Sequence, residues 1–243
     1  MILIQRNDAD DYLKNYQAGL IKTLLMCFSA GASFAVGAGL LGPGLYAIKR
    51  TESPGMLAFA CTPIVFSFHQ IAEGFLWLSL KYPDFASFYK PALYGYSFIS
   101  QPIWPIWVPL IMWLMETDKR RKKILFYFLL LGGASSLYMF YCLITHDISA
   151  VAEHHHIRYY RDFPYLNIMR PLNFVTIAVT PFLSTLRHTK LLAGAMMASL
   201  ILTYIFFTDY LISVWCFFAA ILSLLIILVI NSNKKSVNKS SLT

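Results

Sequence analysis

Long apolar segments separated by short polar or basic stretches dominate the chain. They run roughly over 28–48, 56–80, 94–115, 123–144, 172–187, 190–207 and 210–231, close to the ~20 residues an α-helix needs to cross a hydrocarbon core. The pattern predicts an all-α fold, a polytopic membrane bundle of about seven transmembrane helices. The fifth segment is short and the last three are joined by tight turns, so six spans with a re-entrant segment is the competing reading. Before the first span, Tyr12, Tyr16, Leu20 and Leu24 recur every fourth residue, as in a helix lying on a membrane surface. Asp8, Asp10 and Asp11, without an apolar run, exclude a cleavable signal peptide. The chain thus divides into an extension or surface helix over 1–25, a transmembrane domain over 26–231 and a polar tail over 232–243. The tail reads as a disordered cytoplasmic end that touches anionic lipid through Lys234, Lys235 and Lys239.

Composition changes this picture little. With 58% hydrophobic and 13% charged residues, the lipid bilayer is the chain's solvent and no separate soluble domain fits between the spans. The net charge of +8 is no nucleic-acid footprint, because the basic residues sit in short loops. They report topology instead. With seven spans, one side collects Lys49, Arg50, the run Lys119 to Lys123, Arg187, Lys190 and the three tail lysines, against Glu52, Glu116 and Asp118. The other side is balanced. The positive-inside rule then places the amino terminus outside and the carboxyl terminus in the cytoplasm. The four cysteines, Cys27, Cys61, Cys142 and Cys216, lack any C-x-x-C spacing and read as free thiols within or beside spans.

Two local patterns bear on packing. Ser29, Ser33 and Gly37, with Ala35 and Gly39 beside them, form a ridge of small residues that lets helix backbones approach. Pro102, Pro105 and Pro109 remove backbone donors and predict a kink or break in the third span. Irregular backbone at membrane depth survives where protein or a water-filled cavity satisfies it; a cavity beside this helix and a kinked helix in a dry bundle both fit.

Glu73 is the acidic residue lying well inside an apolar segment, and His69 precedes it by one turn. A charge at mid-membrane costs about 2.5–3.5 kcal/mol on insertion scales, so such a group faces protein or trapped water and has a partner. Residues i and i+4 share a helix face, so His69 and Glu73 point the same way, to share a proton or a metal, or to fix helix packing as a hydrogen-bonded pair. The seven-span topology gathers further polar groups toward the outer side: Cys27, Ser29, Gln101, Cys142, Asn167, Asn173 and Asp209. The long outer loop, about 145–171, holds His146, His154, His155 and His156. Imidazoles suit zinc, copper, nickel or haem iron. In an extended segment His154 and His156 share a face and His155 points away; a solvated surface loop is the plainer alternative. No retinal lysine in the last span, zincin motif, nucleophile elbow or phosphate loop is present.

The stretch Met26-Cys27-Phe28-Ser29-Ala30, followed by Ser33, Phe34 and a glycine-rich span, resembles the opening of an uncharacterised family of small bacterial multi-span membrane proteins that begin Met-Cys-Phe-Ser-Ala. Phe68 to Trp77, with His69-Gln70 before Glu73-Gly74 and Trp77, resembles that family's second signature. The two motifs cover about 25 residues. The resemblance implies a bacterial inner-membrane protein opening at the residue matching Met26, and it is nearly silent on activity.

Two readings follow. In the first the protein is a membrane-embedded hydrolase dependent on zinc or another divalent metal and acting on lipid. His69, Glu73, His154 and His156 would be ligands, Glu73 alternatively the general base, and Ser29 or Gln101 would orient the substrate, with Cys27 nearby. In the second it is a transporter, channel or sensor module with a proton- or cation-responsive Glu73 and His69, the proline-broken helix being its moving part. A haem or quinone protein is a third, weaker option, and a purely structural membrane protein is the plain alternative. A lipid or small molecule is the expected ligand, and nucleic acid is not.

Overall fold

The computed structural model describes residues 29–51, 53–153 and 156–240. The fold is mostly helical, and seven stretches are long and apolar enough to cross a membrane. In chain order these are α1 (Ala30–Ile48) and α2 (Pro54–Lys81), then a 3-10 turn (Pro83–Phe88), α3 (Tyr89–Phe98), a π turn (Ile99–Ile103) and α4 (Trp104–Met115) forming one span. After α5 (Lys119–Thr145) come β1 (Ile148–Glu153) and β2 (His156–Arg161), then α6 (Leu166–Leu183) and α7 (Thr189–Phe206). A 3-10 turn (Thr208–Tyr210), α8 (Leu211–Leu222) and the start of α9 (Leu225–Ser240) complete the last span, and α9 runs on into the segment expected as a tail. The proposed surface helix before residue 26 lies outside the described residues.

Local sequence explains where the first helices begin. Ser29, Ser53 and Asp118 precede α1, α2 and α5, and their side chains accept from the backbone N–H of Ala32, Met56 and Arg121. Each satisfies one of the otherwise unpaired donors of a helix start. Pro54, with no N–H to lose, opens α2.

The small-residue ridge of α1 packs on α2. A β-carbon at Gly37 would meet the Ser67 carbonyl oxygen at 3.0 Å and Ile71 at 2.9 Å; one at Gly44 would meet Ile64, and one at Gly74 would meet Phe34. The Ser67 hydroxyl uses this closeness to donate to the Gly37 carbonyl at 2.6 Å. These pairs define an antiparallel register in which Ser29 comes level with Ser79, beyond Glu73.

The proline-rich third span bends without ending. Pro102 sits within the π turn, Pro105 opens α4 and Pro109 lies inside it. Proline cannot donate to the carbonyl four residues back, and the π turn accommodates that interruption here. At Gly132 of α5, a β-carbon would collide with the Pro105 carbonyl, so this glycine lets α5 cross directly over the bend.

The hairpin departs from the all-α expectation. In place of an irregular loop, Ile148–Glu153 pairs antiparallel with His156–Arg161, Ala150 opposite Tyr159 and Ala152 opposite Ile157. The segment alternates with period two: Ile148 and Ala150 are buried while Ser149 between them is exposed. Tyr89 anchors it, its hydroxyl accepting from Ala150 N–H at 2.9 Å and lying 3.3 Å from the Ala150 carbonyl.

Three apolar clusters stack along the bundle. One, farthest from the hairpin, joins Phe59, Ile111, Leu125 and Ile226. A middle one joins Leu40, Phe66, Trp104 and Trp215, and one under the hairpin joins Leu76, Leu93, Met139 and Ile157. On α2, Phe66 belongs to the middle cluster and Leu76 to the hairpin cluster, so residues 69–73 form a polar layer between them. Outward faces carry large apolar side chains such as Leu137, Ile144 and Phe206, as a bilayer-spanning surface requires.

At the end away from the hairpin, Glu116 is buried and ties two connections together. Its carboxylate accepts from Thr117 and Asp118 N–H at 2.9 and 3.0 Å, from Thr185 N–H at 2.8 Å and from the Thr185 hydroxyl at 2.7 Å. Arg121 adds a bond to the Leu183 carbonyl at 3.0 Å. Burial raises the Glu116 carboxyl pKa, but the bonds from Thr185, Asp118 and Thr117 outweigh it and hold the group below its ordinary value.

Candidate functional site

Gln70 and Glu73 lie on one side of α2 with His69, and all three are almost fully buried. Ser213, near the start of α8, donates its hydroxyl to Glu73 Oε1 at 2.5 Å. The Gln70 amide and Tyr96 lie beside the same carboxyl, although neither Gln70 polar atom reaches hydrogen-bond geometry. The Tyr96 hydroxyl instead donates to the Ile212 carbonyl at 3.3 Å, next to Ser213. Thus α2, α3 and α8 converge on one carboxyl group.

The imidazole of His69 stacks on the Tyr96 ring, centroids 4.1 Å apart and planes 17° from parallel. Tyr96 in turn stacks on Tyr159 of β2 at 4.9 Å and 6°. Phe66 and Trp104 contact the imidazole from the apolar side. The Tyr96 main chain lies beside the ring, yet neither imidazole nitrogen meets hydrogen-bond geometry with a protein group. Trp104 and Trp215 also keep buried, unpartnered indole N–H groups. Buried polar atoms are paired in the great majority of cases, so this concentration of unsatisfied groups marks the layer as chemically unusual.

Cys216, three residues after Ser213, and Arg161, at the end of β2, extend the cluster: Cys216 lies within electrostatic reach of Glu73, Tyr96 and Arg161. Burial, then the Glu73 carboxyl, push the Tyr159 phenol well above its usual range. Burial first, and then the neighbouring charge of Arg170, push the Arg161 guanidinium down to about 10.

The residues singled out in the sequence divide by place. His69 and Glu73 share the polar layer. Gln101 is buried in the π turn and lines a cavity of about 20 Å³ with Arg170, Asn173 and Cys216, which brings it to the edge of the cluster. Ser29 caps α1 through its side chain and stands about 9 Å farther along the helix axis than Glu73, at 1.5 Å per residue. His156 is buried against Phe207 and Tyr210, in a setting separate from the His69 stack. Cys27 and His154 lie outside the described residues. Among the described residues no three His, Cys, Asp or Glu side chains come together as a metal-ligand set, so the donors in view do not fit a resident zinc or similar ion. Cys142 is buried in the cluster under the hairpin.

Sequence reasoning did not find Ser213, Tyr96, Tyr159 or Cys216 as neighbours of Glu73, nor Arg161 at the edge of the cluster. Ser213 carried a faint signal, being a hydroxyl inside the otherwise apolar run Leu211–Leu222. Tyr159 and Arg161 carried none, because their approach depends on the hairpin folding back over the helices.

No curated protein and no solved structure matched the chain. One family model matched, over residues 26–241, beginning at the methionine with which the first motif opens. The chain therefore belongs to DUF6629, a family of unknown function.

Proposed function

We propose that the protein is an integral membrane transporter or sensor module whose working centre is a proton-exchanging Glu73. The observation that carries this reading is the enclosure of Glu73 by three helices among neutral polar side chains: Ser213 bonds it, Gln70 and Tyr96 lie beside it, and among the described residues no cation pairs with it. An unpaired buried charge is costly, so a proton is the natural counter-charge, and its gain or loss must alter the packing of α2 against α8. Tyr96 and Tyr159 lead from this carboxyl to the hairpin end of the bundle. The basic residues cluster at the opposite end, at Lys49, Arg50, Lys119 to Lys123, Arg187 and Lys190, which supports a cytoplasmic location for that end and an outer location for the hairpin. The bacterial inner membrane is the corresponding assignment.

The metal-dependent lipid hydrolase has less support. It needs His69 and Glu73 joined by a further ligand, and His156 is occupied in a different aromatic pocket.

The test is a pH titration of the full chain in lipid nanodiscs, read by tryptophan fluorescence, since Trp104 contacts His69. The expected result is a reversible transition in the wild type that Glu73→Gln abolishes while the variant keeps its helical circular dichroism. Superimposable titration curves for the two proteins would refute the proposal.

A further inference from the structure

Arg170 of α6 lines three separate cavities. The first, about 40 Å³, is a polar pocket under the hairpin bounded by Arg161, Tyr159, Asp209 and Tyr210. The second is the small cavity beside Gln101 and Cys216. The third is a larger groove of about 460 Å³ along α6 and α7, bounded by Asn167, Phe174, Leu200, Ile201 and Tyr204. Ile201 and Tyr204 are among the exposed apolar residues that face outward from the bundle, so the groove opens sideways, where a bilayer would lie.

Arg161 and Arg170 come close enough for each to feel the other's charge. Neither belongs to an ion pair among the described residues, and the Arg161 Nε is enclosed without a hydrogen-bond acceptor. Asp209 bounds the same pocket but forms its ion pair elsewhere: its carboxylate lies 3.5 Å from Arg158, which also pairs with Glu153. Two guanidinium groups that share a polar pocket without an ion-pair partner attract an anion between them, and guanidinium forks match the oxygens of phosphate.

We propose that Arg161 and Arg170 hold the phosphate of an anionic amphiphile, whose hydrocarbon chain lies in the groove between α6 and α7. The polar pocket has space for the headgroup oxygens, since a single water needs about 10–15 Å³. The apolar groove beside Arg170 supplies the continuous surface that a free phosphate would not need. This site is independent of the role assigned to Glu73, although Arg170 and Cys216 border a common cavity.

The experiment is native mass spectrometry of the full chain in neutral detergent, titrated in parallel with phosphatidylglycerol, phosphatidylcholine and inorganic phosphate. The expected result is retention of phosphatidylglycerol over phosphatidylcholine, with binding about tenfold weaker in Arg161→Gln and Arg170→Gln, the loss of one charge-assisted contact. Leu200→Trp, which fills the groove and leaves both arginines, separates the two phosphate sources. Loss of phosphatidylglycerol with inorganic phosphate binding unchanged supports the amphiphile, whereas binding of inorganic phosphate alone by the wild type overturns the lipid assignment. Arg170→Lys keeps the charge and guards against misfolding: it should retain more lipid than Arg170→Gln. Equal retention of both lipids by the wild type, or unchanged phosphatidylglycerol binding in both glutamine variants, overturns the site.

Discussion

Ser213 donates its hydroxyl to the carboxylate oxygen Oε1 of Glu73 at 2.5 Å, joining the start of α8 to the middle of α2 across 140 positions of chain. Both partners are buried. Ser213→Ala leaves the carboxyl without its hydroxyl donor, and we expect a loss of about 1 kcal/mol, measured by thermal denaturation in detergent. The same variant should shift the midpoint of the tryptophan pH titration, whereas Ser213→Thr, which restores the hydroxyl, should keep it near the wild-type position.

The glycines of α1 and α5 are not equivalent. A β-carbon at Gly37 or Gly132 meets backbone oxygen, while one at Gly39 meets nothing within 4 Å. Gly37→Ala and Gly132→Ala should each destabilise by about 1–3 kcal/mol through forced separation of helices. Gly39→Ala should be neutral or slightly stabilising, because alanine favours the helix. Melting temperatures of the three variants give the comparison, and equal values would contradict the close packing of α1 on α2 and α5 on α4.

Glu116 makes stability depend on pH with a defined sign. Its carboxyl pKa is lowered in the folded protein, so its contribution is fully present above the unfolded carboxylate value, about 4.3, and is lost as pH falls through the lower folded value. Glu116→Gln should lower stability by about 2 kcal/mol at neutral pH, the scale of hydrogen bonds to a charged group. The gap between variant and wild type should narrow on acidification. A gap that stays constant from neutral pH into this acid range would show that the charge on Glu116 is immaterial.

Tyr89 fixes the hairpin through both the N–H and the carbonyl of Ala150. Tyr89→Phe keeps the ring and removes both contacts, so the Ala150 amide should exchange with deuterium faster while amides of α2 are unaffected. Hydrogen exchange read by mass spectrometry measures both in one sample.

The spans were legible because twenty-residue apolar runs have few other uses, and the small-residue ridge at Ser33 and Gly37 correctly pointed to a close helix contact. The burial of His69 and Glu73 on one side of α2 followed from helical spacing, but no bond joins them, since neither imidazole nitrogen has a hydrogen-bond partner. The bonding partner of Glu73 did not follow from spacing: Ser213 comes from 140 positions away, and nothing in a single sequence ties one hydroxyl among many to one carboxyl. The hairpin was missed because its histidines drew attention to metal chemistry, while Ile148, Ala150 and Ile157 carried the alternation of a strand. Glu116 was counted for topology and its role as a clamp was not seen, since its donors are mostly backbone N–H groups that exist as a set only once two turns meet.

The face-to-face column of Tyr159, Tyr96 and His69 has one end in a strand and the other in the bilayer-spanning interior. Rings stacked in this way stay covered only while all three keep their places. Lifting the strand uncovers Tyr96 and loosens its cover over the imidazole, whereas a shift of α2 deprives the strand of its seat. The hairpin is therefore tied to the polar layer through its rings, and a displacement of β2 would be felt one ring away from the buried carboxyl.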